Sequence, residues 1–176
     1  GLQFWVIDEN NNGIQVFSFD DSVGYEVKEG DNLTIKGTID QFNGQTEIVP
    51  SEIIINSEGQ NLVTPLNLGD GGVAALDESF ESKYVTADDA FQLVDPTAWV
   101  GDGSSFSVEM TNGLSTFDVF IDADTEFANM LMPPGDFMSI TGIVGQSDSD
   151  EPYDSGYAIW VRYDSDLSVV NAVIDA

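Results

Sequence analysis

One stretch of strand-like sequence occurs twice in the chain, and it constrains the fold more than any other feature. Residues 30–39 read GDNLTIKGTI and residues 135–144 read GDFMSITGIV, so a Gly-Asp pair, an isoleucine and a second glycine recur at a constant offset. Each copy predicts a tight turn followed by an alternating strand, with the second glycine where the strand bends or is closely approached. Because the offset is far longer than the unit of a solenoid, it predicts two related domains.

The composition is that of a folded, strand-rich protein. The chain has 176 residues, of which 41% are hydrophobic and 11% aromatic, and it contains 17 glycines. Two halves of this length can each form a modest core. Long β-branched runs separated by Asn/Asp-Gly turns predict an all-β fold.

The first half predicts a hairpin followed by further strands and no helix. Apolar runs at residues 4–7 and 14–19 flank a turn at residues 8–13 that reads DENNNG. This turn also matches the first half of a calcium loop, but Phe19 stands where such a loop needs an acidic residue, so the hairpin interpretation is favoured. Strands are predicted at 30–39, 46–49 and 51–55, and Pro50 indicates a bulge or a sheet edge between the last two.

A connection at residues 61–82 is predicted to separate the two halves. The run Gly69 to Gly72 predicts a flexible break and lacks the residues of a phosphate loop. Residues 73–82 predict a short helix with Leu76 and Phe80 on one face, because these residues are four positions apart.

The second half predicts a complete set of strands. A first strand ends at residues 91–94, and a hairpin follows at residues 106–110 and 114–121 around Asn112-Gly113. A short helix is predicted at residues 125–131, capped by Thr125 and ended by Pro133-Pro134. The second copy of the Gly-Asp strand comes next, and strands at 157–163 and 167–170 complete the set.

This order of elements predicts two OB-fold-like five-stranded Greek-key barrels, in which a helix lies between the third and fourth strands. The first OB-like domain (1–60) lacks its N-terminal strand, the linker (61–82) carries the short helix, and the second OB-like domain (83–171) is complete. Because the chain opens directly on an apolar strand, we interpret it as the interior of a longer protein or as a processed chain. The exposed edge of the first domain is predicted to accept a strand from a neighbouring chain.

The charge balance and the missing residue types exclude several classes of function. Thirty-two acidic and four basic residues give a net charge of −28, and the chain has no histidine and no cysteine. A nucleic-acid-binding protein commonly neutralises about 6–10 phosphates with Lys and Arg, so nucleic acid is a disfavoured partner. Ser-His and Cys-His catalysis and Cys/His zinc sites are excluded, and we expect no enzymatic activity. No apolar run is long enough to predict membrane insertion.

Two phrases carry a resemblance to a known group of domains. Residues 13–48, which include VKEGDNLTIKGTIDQFNGQTEI, and residues 140–167, which read ITGIVGQSDSDEPYDSGYAIWVRYDSDL, resemble the OB-like accessory domains of secreted Bacteroidetes nucleases and surface lipoproteins. The resemblance covers most of residues 1–171. It implies a secreted or cell-surface, non-catalytic module, because the chemistry of those proteins lies in a separate domain.

Two sets of residues are candidates for binding. Clustered carboxylates in loops can supply several of the oxygens that Ca²⁺ needs, so calcium is a candidate cofactor although none is required. The first acidic candidates are Asp148, Asp150, Glu151 and Asp154, and the second set is Asp122, Asp124 and Glu126. The candidate ligand-binding aromatics, which can stack on sugars or bases, are Tyr153, Tyr157, Trp160 and Tyr163.

Two functional hypotheses remain open. The first is a secreted or cell-surface module that acts in protein–protein assembly, adhesion or scaffolding, with a protein partner or a second copy of the chain bound at the open edge of the first domain. The alternative is a ligand-binding accessory domain of a secreted hydrolase, with carbohydrate or nucleic acid as its ligand.

Overall fold

The protein is all-β. A computed structural model describes residues 1–20, 22–68, 74–130 and 138–169, and within these ranges the strands form one four-stranded and one seven-stranded sheet. The strands are β1 (Leu2–Ile7), β2 (Gly13–Ser18), β3 (Asn32–Phe42), β4 (Gln45–Ser57), β5 (Leu66–Asn67), β6 (Tyr84–Leu93), β7 (Phe106–Thr111), β8 (Thr116–Ile121), β9 (Met138–Gln146), β10 (Tyr157–Trp160) and β11 (Leu167–Val169). The helical segments are single 3₁₀ turns at Glu78–Phe80, Pro96–Ala98, Glu126–Asn129 and Asp164–Asp166.

Five strands of the seven-stranded sheet pair in a closed ring. The hairpin partners β7 and β8 are antiparallel, β8 is parallel to β10, and β10 is antiparallel to β9. Strand β6 closes the ring because it pairs antiparallel with both β9 and β7. The short strands β5 and β11 add to β6 and β9. A ring of this kind encloses a core on its inner face.

The core of this ring is formed by the side chains that point inward, which alternate with exposed ones along each strand. Phe106, Val108 and Met110 of β7 are buried, while the residues between them are exposed. Val108 lies opposite the buried Val119 of β8, so directly opposed side chains meet on the inner face. Twenty buried hydrophobic residues, from Leu68 to Leu167, form one cluster here.

The four-stranded sheet repeats part of this arrangement. Its order is β1-β2-β4-β3, with β1 antiparallel to β2, β2 parallel to β4, and β4 antiparallel to β3. The order and directions match those of β7-β8-β10-β9 in the ring. Among the described residues, no strand corresponds to β6, so β1 and β3 each pair on one side only. Of the described residues, its buried cluster contains Leu2, Phe4 and Val16.

The repeated strand glycine has the same role in both sheets. A Cβ atom at Gly37 would lie 2.2 Å from the carbonyl oxygen of Val49, and one at Gly142 would lie 2.4 Å from that of Trp160. Each glycine therefore allows a neighbouring strand to approach closely, as the sequence predicts. Gly30, which precedes β3, has a φ of 88° and forms the predicted turn. The second Gly-Asp pair, at 135–136, lies outside the described residues.

The prediction that two separate strands flank Pro50 is wrong. Residues 46–49 and 51–55 form one strand, β4, and Pro50 lies within it opposite Gly37. The register shifts between Lys36 and Gly37, so the expected bulge is present. Pro50 is tolerated because a bulge does not need its missing N–H.

The predicted helix at residues 73–82 is reduced to one turn at Glu78–Phe80 in the part that the structure describes; Val73 and the glycine run at 69–72 lie outside it. The side chain of Asp77 accepts a hydrogen bond from the backbone N–H of Ser79, and Ser82 has a φ of 59°. These two features start and end the turn within a few residues. Leu76 and Phe80 pack against the large core, as their spacing predicts.

The predicted helix at residues 125–131 is a 3₁₀ segment at Glu126–Asn129 between β8 and β9. Thr125 does not cap it, because the Thr125 hydroxyl donates to the carbonyl oxygen of Asp122 at 2.7 Å. Its inward residues, Phe127 and Ala128, are buried in the core. Leu131 and the two prolines lie outside the described residues.

Candidate binding site

The two sheets are joined by the turn of the β1–β2 hairpin. The side-chain amide of Asn11 pairs with the backbone of Tyr84 at the start of β6: its Nδ2 donates to the carbonyl oxygen at 2.7 Å, and its Oδ1 accepts from the N–H at 2.8 Å. Lys83 Nζ donates to the carbonyl oxygen of Asn11 at 3.2 Å. The turn that resembles a calcium loop is therefore a structural contact to the second sheet.

A second polar contact joins β4 to β9. Gln45 is buried; its Oε1 accepts from the backbone N–H of Gln146 at 2.9 Å, and its Nε2 donates to Glu81 Oε1 at 2.9 Å. The same carboxylate oxygen accepts from the N–H of Thr46 at 2.8 Å. Burial raises the pKa of Glu81, and the hydrogen bond from Thr46 opposes this shift.

A cleft opens beside β1, where a strand corresponding to β6 would lie. It has a volume of about 1910 Å³ and is lined by all of β1, by residues 28–33 at the start of β3, by residues 60–66 of the connection, and by residues 160–163 of the second sheet. The connection borders the cleft without pairing as a strand with β1 or β3. We name the space between the unpaired edges of β1 and β3 the β1–β3 gap.

The core face of β3 and β4 is incompletely covered. Leu33 lies opposite Ile55, and Ile35 lies opposite Ile53, so these four side chains point to the same side of the sheet. Leu33, Ile35 and Ile53 are only partly buried against the small cluster, and Ile55 is 47% exposed. Ile39 is on the same face and is 61% exposed. Apolar side chains that would face a core in a complete barrel are therefore open to solvent.

Aromatic rings line the far side of the cleft. The rings of Trp5 and Trp160 meet edge to face with their centroids 5.5 Å apart, and Trp160 also packs on Phe120 at 4.2 Å. The Nε1–H of Trp5 is buried and has no hydrogen-bond acceptor among the described residues. Of the candidate aromatics, Trp160 and Tyr163 line the cleft, and Tyr163 is 50% exposed.

The other two candidate aromatics lie elsewhere. Tyr157 is a buried member of the large core, and its hydroxyl donates to Glu78 Oε2 at 2.6 Å. Burial and the adjacent carboxylate raise the pKa of this hydroxyl. Tyr153 is partly buried, and its carbonyl oxygen accepts from Gln146 Nε2 at 2.8 Å. The structure does not bring these two residues to the cleft.

Arg162 is held in a network at the edge of the cleft. Its guanidinium donates to both carboxylate oxygens of Asp166, to the hydroxyl of Tyr84 at 3.1 Å, and to Glu29 Oε1 at 3.0 Å. It lies over the ring of Tyr84 with its central carbon 4.5 Å from the centroid. Burial acts to lower the pKa of Arg162, but the carboxylate of Asp166 outweighs it and the pKa is raised.

The other three basic residues also have partners. Lys28 pairs with Glu58 and Lys36 with Glu52, while Lys83 donates to the oxygen atoms of the β1–β2 turn. All four cations of the chain lie in described segments. All four already have partners within the chain, so a ligand phosphate would compete with carboxylates for Lys28, Lys36 and Arg162 and with amide oxygens for Lys83.

The first acidic candidates form a loop that is organised by its own hydrogen bonds. Asp148 accepts from the N–H of Asp150 at 3.0 Å and from the hydroxyl of Ser155 at 2.7 Å, and these bonds lower the pKa of Asp148. Within the described ranges no group of three or more acidic residues is arranged to hold a metal ion; these ranges include Glu151 and Asp154.

The second acidic candidates lie beside the cleft. Asp122 accepts from the N–H of Asp124 at 2.9 Å, and both residues line the cleft. The carboxylate of Asp164 raises the pKa of Glu126, because it accepts a hydrogen bond from the protonated form of Glu126 and its negative charge disfavours ionisation. These carboxylates give the rim of the cleft a negative charge.

Sequence reasoning missed the residues that join the sheets: Asn11, Gln45, Glu81 and Gln146. The sequence carries only a partial signal for two of them: Gln45 and Gln146 are polar residues beside predicted strands, and their burial is seen only in the structure. Buried amides need partners, and partners outside the local hairpin indicate a contact between units.

No protein-family model, curated protein or solved structure matches the chain. Across the described segments, none of the helices has the length and apolar character required to span a bilayer.

Proposed function

We propose that the protein is a tandem of two OB-fold-like Greek-key units, the first of which lacks its N-terminal strand. The pairing order of the strand ring β6-β7-β8-β10-β9, in which β8 is parallel to β10 and β6 is antiparallel to β9, supports this proposal for the second unit. The four strands β1-β2-β4-β3 correspond to its last four. The close-approach glycines Gly37 and Gly142 at matching places support the same correspondence.

The function that this arrangement supports best is non-catalytic protein binding, in assembly, adhesion or scaffolding, by a secreted or cell-surface protein. The observation that carries the proposal is the open core face of the first sheet. Among the residues that the structure describes, its buried cluster has three members where that of the second sheet has twenty, and Ile39 and Ile55 are exposed on the face that a barrel would close. Open apolar surface of this kind is typical of a binding site.

Charge favours a protein partner over nucleic acid. The net charge is −28, and each of the four cations already has partners within the chain. A polyanion would be repelled by this field, whereas a segment rich in Lys or Arg would be attracted. Without histidine and cysteine, the common nucleophile–base pairs cannot be assembled, which agrees with a binding role.

Carbohydrate binding is the second candidate function. Tyr163 is exposed beside Trp160 at the cleft, and aromatic rings near acidic side chains can bind sugars without any positive field. The arrangement favours it less than protein binding, because the Trp160 ring is packed between Trp5 and Phe120.

The test compares two adjacent isoleucines. Ile55 and Ile54 are 47% and 40% exposed, but they lie on opposite faces of β4 because consecutive strand residues alternate. A displayed library of random peptides is selected on the intact protein, and the recovered peptides are measured against Ile55→Ser and the matched control Ile54→Ser. We expect Ile55→Ser to weaken binding by about tenfold, equivalent to about 1.4 kcal/mol, and Ile54→Ser to leave it unchanged.

The proposal is overturned if no peptide is enriched over an unrelated acidic protein. A glycan array run with the same protein tests the alternative: glycan binding that Tyr163→Ala abolishes and Ile55→Ser spares would replace protein binding with carbohydrate binding.

A further inference from the structure

We propose that the β1–β3 gap is an acceptor site for an extended strand from another protein, which pairs antiparallel with both β1 and β3 and carries basic residues. This inference rests on the proposed protein-binding function and names its site, the direction of the bound strand and the chemistry of the partner.

The second sheet supplies the geometry of the bound strand. Strand β6 is antiparallel to both β7 and β9, and β7 and β9 correspond to β1 and β3. A segment that completes the first sheet in the same way is therefore antiparallel to β1 and β3. It spans about ten residues, the length of β6.

The register follows from the matched glycines. In the second sheet Tyr84 to Ala87 of β6 lie opposite Ile143 to Ile140 of β9, with Val85 opposite Gly142. Because Gly142 corresponds to Gly37, the first half of the bound strand lies opposite Thr38 to Ile35 of β3. This part of β3 is the part that the structure leaves largely exposed.

The second half of the bound strand crosses to β1. Val16 of β2 corresponds to Val119 of β8, because each pairs with the parallel neighbour of its strand at the same position. Phe4 of β1 lies opposite Val16 and Val108 of β7 lies opposite Val119, so Phe4 corresponds to Val108. By this register, the bound residue in the place of Gln92 lies opposite Ile7 of β1, and the one in the place of Leu93 lies opposite Val6.

The apolar residues of the bound strand are predicted from the inward residues of β6. Val85, Ala87 and Phe91 of β6 are fully buried, and a register irregularity separates Ala87 from Phe91. The partner strand would present apolar side chains at the same spacing to Leu33, Ile35 and Ile55. Backbone pairing then contributes affinity and the apolar side chains contribute specificity, as in other cases of strand addition.

The negative charge of the cleft favours a partner strand that carries basic residues. Acidic residues line the cleft beside β1 and β3, and the cations that also line it, Lys28 and Arg162, already pair with carboxylates. The acidic lining residues are Asp8, Glu9, Glu29, Asp31, Asp122 and Asp124. A strand with Lys or Arg at its outward positions is attracted to this rim, whereas a second copy of the chain brings another net charge of −28 and is repelled.

The experiment uses a peptide built on β6 itself, residues 83–94, with Asp88→Lys and Asp89→Lys to supply the basic residues. Its binding to the intact protein is measured by fluorescence anisotropy. The control peptide has the same side chains but carries N-methyl groups on alternate backbone nitrogens, so that it cannot donate to a neighbouring strand. We expect the unmethylated peptide to bind and the methylated one to bind at least about tenfold more weakly.

Protein variants locate the site. We expect Ile55→Ser to weaken peptide binding and Ile54→Ser to leave it unchanged, because only Ile55 is on the core face. Equal affinity for the methylated and unmethylated peptides would overturn strand addition. Loss of binding with both isoleucine variants, or with neither, would overturn the location.

Strand addition and the proposed protein-binding function would be overturned by different results. If library peptides bind through Ile55 but are insensitive to backbone methylation, protein binding stands and strand addition is wrong. If the chain forms a dimer that Ile55→Ser dissociates and that the peptide cannot displace, the occupant is a second copy and the basic partner is wrong.

Discussion

Gly37 and Gly142 show how single residues fix the path of neighbouring strands. In each case the position of a Cβ atom is occupied by a backbone carbonyl oxygen of the adjacent strand, which cannot move aside as a flexible side chain could. The sequence predicts either a bend or a close approach at this position, because a glycine inside an alternating strand commonly marks one or the other. What it cannot predict is which strand comes close, since that depends on pairing between distant segments.

Gly142→Ala tests this role. The added methyl group would lie 2.4 Å from the carbonyl oxygen of Trp160, so we expect a loss of about 2–4 kcal/mol in the free energy of unfolding, measured by urea denaturation. Gly113→Ala is the matched control in the same sheet: it has a φ of 86° and nothing within 4 Å of the added carbon, so we expect only about 1 kcal/mol from backbone strain. Equal losses for the two variants would show that the carbonyl contact has no special role.

At the level of elements, the sequence predicted the hairpins, which depend on neighbouring residues. It did not predict the contacts between segments that are far apart in the chain. Both hairpins form at the predicted turns, because an apolar run on each side of an Asn-Gly turn specifies its own partner. The helices shorten to single turns because a few helical residues gain too little from their own hydrogen bonds to extend further. Pro50 remains inside β4 because the neighbouring Ser51 of the same strand has no partner in β3, and this bulge accommodates the proline.

The candidate site could be predicted only in part for the same reason. The order of elements predicts an open edge in the first unit, and within the segments that the structure describes β1 and β3 each pair on one side only. Of the four candidate aromatics, Trp160 and Tyr163 reach the cleft, whereas Tyr157 belongs to the core. Alternation along a strand indicates which residues share a face, but it does not indicate which face is covered.

The contact between β4 and the segment before β6 depends on Glu81, and its pH dependence can be measured. Burial raises the pKa of Glu81 above its ordinary value of 4.5, so the folded state binds this proton more tightly than the unfolded state does. Stability from this group is therefore greatest in acid and falls as the pH rises from 4.5 through the raised pKa. We expect Glu81→Gln, which keeps an acceptor for the Thr46 N–H, to lose less stability over this interval than the wild type.

Glu9→Gln is the control for this prediction, because Glu9 is an exposed turn residue and its replacement removes the same charge. Stability is measured by urea denaturation at a series of pH values. If Glu81→Gln and the wild type keep the same dependence on pH, Glu81 does not contribute in the way described.

For the whole molecule, two sheets of the same strand order differ in how completely they are closed. The second sheet closes through β6 around a large core, while the first has a small core and an apolar face that is open beside an acidic cleft. The large net charge keeps such a surface soluble and disfavours association between copies of the chain. The open face of the first sheet, beside the acidic cleft, is the site that we propose for a partner strand.

The central claim is that this gap is completed by a strand from another protein. Its most direct test is amide hydrogen exchange, followed by NMR, on the intact protein with and without the lysine-substituted β6 peptide. We predict that the peptide slows exchange of outward-directed amides in both Ile35 to Thr38 of β3 and Val6 to Ile7 of β1, and leaves the amides of β9 unchanged. Peptide binding with no added protection on β1 and β3, or with changes confined to β7 and β9, would contradict the account.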